Sequence, residues 1–511
     1  MPSVKTSVEC RLHGPGRWFI PVGLFWLTVL APLPAEAADA EAIPCPAPRI
    51  EPSHGLIDGG YAGMFADPAA TALTAAGCAS SSCHGGPEAG NHDLQSFAAT
   101  LWAERDPHAG GYETLLEPQS RRIAAALGIG EPHRARQCLA CHSVQAVRDA
   151  PLPPEALADG VSCGSCHGDA TGWLAIHHLP EWRHVGPEAR AAMGWRDVSD
   201  VTSRVRTCIP CHVGDASREV DHDLVAAGHP RLAFEFAAYQ RLWPRHWNPR
   251  KKIEADHDFA ERSWATGQAE TLAAVARLVE VRIRRAIDAE ASGQESRWPE
   301  FAEFDCYSCH RGLSPERVAA GADGAFRNPF PGTPSWQPWS VAAARLLSTA
   351  IDEPVLAEVG AAATDLRDLF APDWSAGDRQ RLDRAIARAG RLAEAAEAAA
   401  AAIETRPTVV LDASHDRLDA AVASAPSDWR FWDAATQTYL LMEAAGDGGP
   451  ARLGRWSYSG YERPVSSTRA ALDDMRASLR FKPGSGGPDG FDPAGFTRDR
   501  RAVPYGLPSA R

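Results

Sequence analysis

Cys-x-x-Cys-His occurs four times in this chain, at Cys138–His142, Cys163–His167, Cys208–His212 and Cys306–His310; a wider Cys-x-x-x-x-Cys-His stands at Cys78–His84. Two thiols at this spacing, followed directly by an imidazole, form the attachment site of a c-type haem. In this reading Cys78, Cys83, Cys138, Cys141, Cys163, Cys166, Cys208, Cys211, Cys306 and Cys309 bond the porphyrin vinyl groups. His84, His142, His167, His212 and His310 then turn inward to the iron. Zinc ribbons also use paired Cys-x-x-Cys units, but zinc does not call for a histidine after every pair. The expected cofactor is therefore haem c, five copies, covalently bound. A core made of flat cofactors limits the fold to loops and short helices wrapped around them.

The remaining cysteines agree with this. Of twelve, ten lie in the motifs, Cys10 sits near the start, and Cys45 stands alone in a Pro-rich stretch. Secreted chains ordinarily spend cysteine on disulfides, and here no pair is left to form one. Lys5, Arg11 and Arg17 precede an apolar run from Trp18 to Leu33, and Ala35 and Ala37 supply the small residues of a cleavage site. The run is short for a membrane span of roughly twenty residues, so residues 1–37 are expected to be a cleaved signal peptide. The expected location is the periplasm, on the side of the inner membrane where c-type haem is attached. A formal charge of −13 argues against nucleic acid as a partner. Peripheral membrane association is carried as a further expectation, although the same charge disfavours an anionic membrane surface.

The chain is expected to be mainly α. Residues 38–330 form the pentahaem cytochrome c domain, with short helices and loops around stacked haems and Trp173, Trp182, Trp195 and Trp243 packed beside them. One long helix is predicted from Asp258 to about Glu290, where proline is absent and Trp264, Leu272, Val275, Val279 and Ile283 recur at helical spacing. Its expected task is to clamp the last haem against the others. Residues 331–446 are alanine-rich and read as an α-helical bundle. Its clearest helix begins at Ser375 and carries Leu382, Ile386, Ala389, Leu392, Ala396 and Ile403 before Pro407. Further helices are predicted over Val355–Leu369 and Ser427–Ala444, and residues 447–511 read as an extended C-terminal tail.

A closed haem iron needs a second axial ligand. Five methionines, of which only Met64 and Met193 lie in or near the haem region, rule out methionine as the general one. Twelve histidines outside the motifs remain after the leader, so bis-histidine iron of low potential is expected. His229 is presented between Gly228 and Pro230, which lets backbone approach a flat cofactor and fixes the chain after the imidazole. His222 in the same stretch and His133, just before Cys138, are further candidates. His54, His92, His246, His257 and His415 are read as non-ligands.

The motif order resembles the tetrahaem cytochrome family that accepts electrons from hydroxylamine oxidoreductase, and the related haem cores of larger multihaem oxidoreductases. The residues that carry the likeness run from about Ala76 to His212. They are Asp106-Pro107-His108-Ala109 and the string Gly160-Val161-Ser162-Cys163-Gly164-Ser165-Cys166-His167-Gly168. The resemblance implies closely packed haem pairs serving as an electron wire. It implies that His108 caps another haem from its far side, and that His177, His178 or His184 supplies a second distal ligand. The fifth motif, the wide first one and the C-terminal helices depart from the family pattern.

Two functions follow. The first is electron transfer through five mostly bis-histidine haems, with periplasmic or membrane-associated redox proteins as partners. The second is reduction or oxidation of a small nitrogen or sulfur compound, which requires one haem with an open sixth position. No residue marks such a position, so electron transfer leads.

Overall fold

A computed structural model describes residues 74–87, 94–143, 154–247, 259–304, 334–351, 353–370, 378–405, 416–417, 432–447, 467–479 and 493–502. Helices dominate it. Among the described residues only isolated β-bridges occur, Gly168 with Trp195, Asp215 with Arg218 and Phe304 with Trp336. The mainly α expectation holds. No helix among the described residues is long and apolar enough to cross a membrane.

The first part, through residue 247, is a succession of short helices and 3-10 turns: Ala98–Arg105, Pro118–Leu127, Arg136–His142, Cys163–His167, Val201–His212 and Phe236–Leu242 are among them. It has little apolar core of its own. One small buried cluster gathers Ala170, Trp173 and Trp182, and a second gathers Val205, Ile209, Phe234 and Phe236.

The long helix runs Phe259–Ala291, within a residue of the expected bounds. Every residue from Ser263 to Ala273 is buried, which marks a helix enclosed on all sides rather than one with a single apolar face. It lies along Arg379–Thr405 and also touches Pro338–Ala350, Trp432–Asp447, Val201–His212 and Phe236–Leu242. At the last of these Gly267 is required, since a Cβ there would stand 2.7 Å from the Cβ of Phe236. Its buried charges are paired. Glu270 takes a bidentate pair of hydrogen bonds from Arg206, both 2.8 Å, and Arg282 is buried between Glu219 at 2.8 Å and Glu303 at 2.6 Å. The sequence assigns this helix to the haem domain as a clamp; the structure makes it the central helix of the bundle and the wall on which the first part rests.

Pro338–Ala350, Arg379–Thr405 and Trp432–Asp447 pack on it; Pro354–Phe370 packs on the first two of these, and Ser467–Ser478 and Pro493–Ala502 on Trp432–Asp447. Arg379–Thr405 buries Leu382, Ala385, Ala389, Leu392, Ala396, Ala399, Ala400 and Ile403, a stripe whose small residues permit close approach. Among the described residues one buried apolar cluster joins side chains of these helices with Ala237, Trp264, Trp336 and Phe496. The expected boundary at residue 330 and the start at Ser375 lie outside the described residues.

Candidate haem sites

Three motifs occupy the final turn of a helix, since Arg136–His142, Cys163–His167 and Val201–His212 all end on the motif histidine. One helical turn sets two thiols and an imidazole on neighbouring positions. The last helix is started by Asp200, whose side chain accepts the Ser203 N–H, and carries Pro210 inside its motif, which removes one backbone donor near its end. After motif three Gly168 turns the chain with φ +86°, where a Cβ would strike the Gly194 carbonyl at 2.1 Å. The wide first motif is a closed turn: the Cys83 N–H bonds the Ser80 carbonyl at 2.9 Å, and the His84 N–H reaches back to the Cys78 carbonyl at 3.3 Å. Its extra residues are absorbed without parting the ends.

Each of the four described motif histidines faces one histidine from elsewhere. Ring centres are 6.1 Å apart for His84 and His177, 6.5 Å for His142 and His229, 6.1 Å for His167 and His246, and 6.1 Å for His212 and His108. A metal–imidazole bond is about 2 Å, and the ring centre lies roughly 1 Å beyond the nitrogen, so two imidazoles sharing one ion have centres about 6 Å apart. All four pairs have that separation. Among the described residues no group of three or more His, Cys, Asp or Glu side chains gathers as a protein-only metal site would; the histidines meet two by two.

The second nitrogen of several rings is already committed. Nδ1 lies 2.7 Å from the Gln95 carbonyl in His84, 2.9 Å from Gly111 in His142, 2.8 Å from Leu174 in His177 and 2.8 Å from Pro230 in His229. A carbonyl only accepts, so Nδ1 carries the proton and the neutral ring leaves Nε2 with a free lone pair. In His108 the acceptor is the Asp106 carboxylate, 2.8 Å away. Burial holds His167 and His212 down to about 4, and burial likewise lowers His142, His229 and His246. These rings are neutral, as a ligand must be. Burial also works to lower His108, but the hydrogen bond and charge of Asp106 outweigh it and raise it. Asp106 is in turn pushed up by burial and pulled down further by His108 and Trp243.

Buried donors without a protein partner among the described residues stand beside these rings. They include Nε1 of Trp195, which lies against His167, Nε1 of Trp173, against His177, and Oγ of Ser143, next to His142. Orphaned buried donors call for an acceptor, and haem carboxylates are suitable ones. The residues present fit the group.

Thiols of different motifs also meet. The Cys78 thiol, lowered by its hydrogen bond with Cys163, leaves its partner raised; Cys211, lowered to about 7 by Cys141, does the same to its own. Motif one thus abuts motif three, and motif two abuts motif four. No disulfide joins any of these eight cysteines.

The other sequence candidates lie elsewhere. His133 sits against Tyr112, ring centres 6.4 Å apart, and near Glu131 rather than a motif histidine. His178 rests on its neighbour His177, and His184 ends an exposed 3-10 turn. His222 packs on Phe301, 5.4 Å between ring centres, in the approach to the fifth motif. Cys306, Cys309 and His310, with His54, His92, His257 and His415, lie outside the described residues. His246, set aside in the sequence, is the ring opposite His167. Its carrier segment is steered by Trp243, whose indole N–H donates to Asp106 at 2.6 Å.

No curated protein and no solved structure matches the chain. Residues 77–168, which hold motifs one to three, match the model of the family described as cytochrome c554 and c-prime, and this supports a c-type cytochrome with covalently bound haem.

Proposed function

We propose that the chain is a periplasmic multihaem cytochrome that carries electrons through five covalently attached haems, four of them held between the pairs His84/His177, His142/His229, His167/His246 and His212/His108. The fifth is assigned to Cys306, Cys309 and His310 on the motif alone. When bound, haem supplies one-electron chemistry at its iron. The protein's part would be to hold two imidazoles at each iron and to orient five of the rings through Nδ1. The observation that carries this reading is the recurrence of one ring separation, near 6 Å, at all four described motif histidines.

Two histidines per iron leave no room for a substrate, which favours carriage over catalysis at these four sites. The contacts between motifs one and three and between two and four support closely spaced haem pairs, as the resemblance to the hydroxylamine oxidoreductase partner implies. The leader and the attachment motifs point to one compartment, and redox proteins of that compartment are the proposed partners.

The test is haem stoichiometry together with ligand binding on the purified protein. Mass spectrometry should give five haems on a chain starting near Ala38, and carbon monoxide should bind at most one of them in the reduced state. Saturable turnover of nitrite or hydroxylamine would replace the carrier reading with an enzyme.

A further inference from the structure

Asp106 is 6% exposed, and both of its carboxylate oxygens are engaged. Oδ1 accepts the His108 backbone N–H at 3.0 Å and the His108 ring Nδ1–H at 2.8 Å, and Oδ2 accepts the Trp243 indole N–H at 2.6 Å. The first bond caps the turn Pro107–Gly110 and so fixes the backbone of His108 as well as its ring. Four other histidines of the facing pairs, His84, His142, His177 and His229, give Nδ1–H to neutral backbone carbonyls. Among the described hydrogen bonds from those paired rings, His108 is the one directed to a full negative charge.

We propose that Asp106 is a positioning residue that sets the redox potential of the His108/His212 site below those of the other three described sites. The inference rests on the assignment of His108 as an axial ligand. A carboxylate drawing on Nδ1–H makes the opposite nitrogen more basic, which strengthens its bond to the more highly charged ferric ion. The uncompensated negative charge favours the ferric state in the same direction, and burial keeps it unscreened. At the His167/His246 site the charges are mixed: Arg204 acts on both rings and Arg196 on His167. The Asp106 charge reaches His246 too and outweighs Arg204 there, but it makes no hydrogen bond to that ring and is offset at His167 by both arginines. Trp243 touches a ring of each site, His108 at 5.7 Å and His246 at 6.4 Å between ring centres, and its indole N–H is spent on the carboxylate of the site held low.

The experiment is a spectroelectrochemical titration of the full holoprotein with D106N, W243F and H108A variants, paired with low-temperature EPR. D106N removes the charge and should move one wave, the lowest of the four assigned, to more positive potential, with a changed g spread for one low-spin haem. W243F takes away the donor that shares the carboxylate and should move the same wave the other way. A wild-type set of waves in D106N at full haem content overturns the proposal. Should D106N fail to load haem, W243F decides: no shift, or a positive one, overturns it. H108A separates the two levels, because a variant without a new high-spin haem refutes the ligand assignment itself.

Discussion

Gly160 joins the motif-three string to the turn that carries His108, and replacing it by alanine tests whether that contact holds the ligand in place. Its φ is +62°, and a Cβ built there lies 2.8 Å from the His108 carbonyl oxygen and 2.9 Å from that of Ala109. The next residue, Val161, donates its N–H to the same His108 carbonyl at 3.0 Å, so the chain cannot swing away without losing a hydrogen bond. A left-handed backbone costs alanine about 1–2 kcal/mol, and an overpacked contact costs about 1–3 kcal/mol more. All three nearest atoms belong to the His108 turn, so relief by shifting that turn would move the His108 ring relative to His212. A strain of roughly 2 kcal/mol, spent on that shift, weakens the axial hold by about 30-fold. Gly160→Ala should therefore show one partly high-spin haem by EPR and a lowered unfolding midpoint, at unchanged haem content. Gly186→Ala, where a Cβ meets nothing within 4 Å, is the matched control. If Gly160→Ala has the spectrum and midpoint of the parent protein, the close approach does not hold His108.

His246→Ala should convert one haem to high spin while His133→Ala converts none, read by the same spectra; equal behaviour of the two would remove the His167/His246 pair. Arg282→Met strips a buried Glu303, 1% exposed, of its counter-charge and should cost about 3–5 kcal/mol, measured by denaturant unfolding. Adding Glu303→Gln should recover part of that loss, since the stranded charge goes with it.

The attachment motifs are legible in the sequence because their chemistry is local: thiols and histidine sit within one turn. The helices are legible for a similar reason. Pro354–Phe370 and Phe259–Ala291 fall within a residue or so of their expected limits, since periodicity and proline mark them out. The facing histidines are harder. His229 stands out through Gly228 and Pro230, and His108 through the Asp-Pro-His-Ala string. His246 has no such signal: it lies in Trp243-Pro244-Arg245-His246-Trp247, and what brings it to His167 is a hydrogen bond from Trp243 to a residue 137 positions away. The long helix shows the same limit from the other side. Its extent follows from the chain, but its enclosure depends on Arg379–Thr405, which only the fold brings alongside.

The order of the two parts along the chain has a consequence for biogenesis. For a chain exported as proposed, the early motifs emerge before the bundle exists. Among the described residues up to 247 the buried apolar clusters are small, so that stretch has little of its own to draw it into its final shape before the bundle forms. Once the bundle core forms and the Arg206–Glu270 and Arg231–Asp433 pairs engage, thiols of different motifs are brought side by side, Cys78 with Cys163 and Cys141 with Cys211. In an oxidising compartment, adjacent free thiols cross-link. Under the proposed function, placing the scaffold last would give each pair of cysteines time to take its porphyrin before a neighbouring thiol can compete for it.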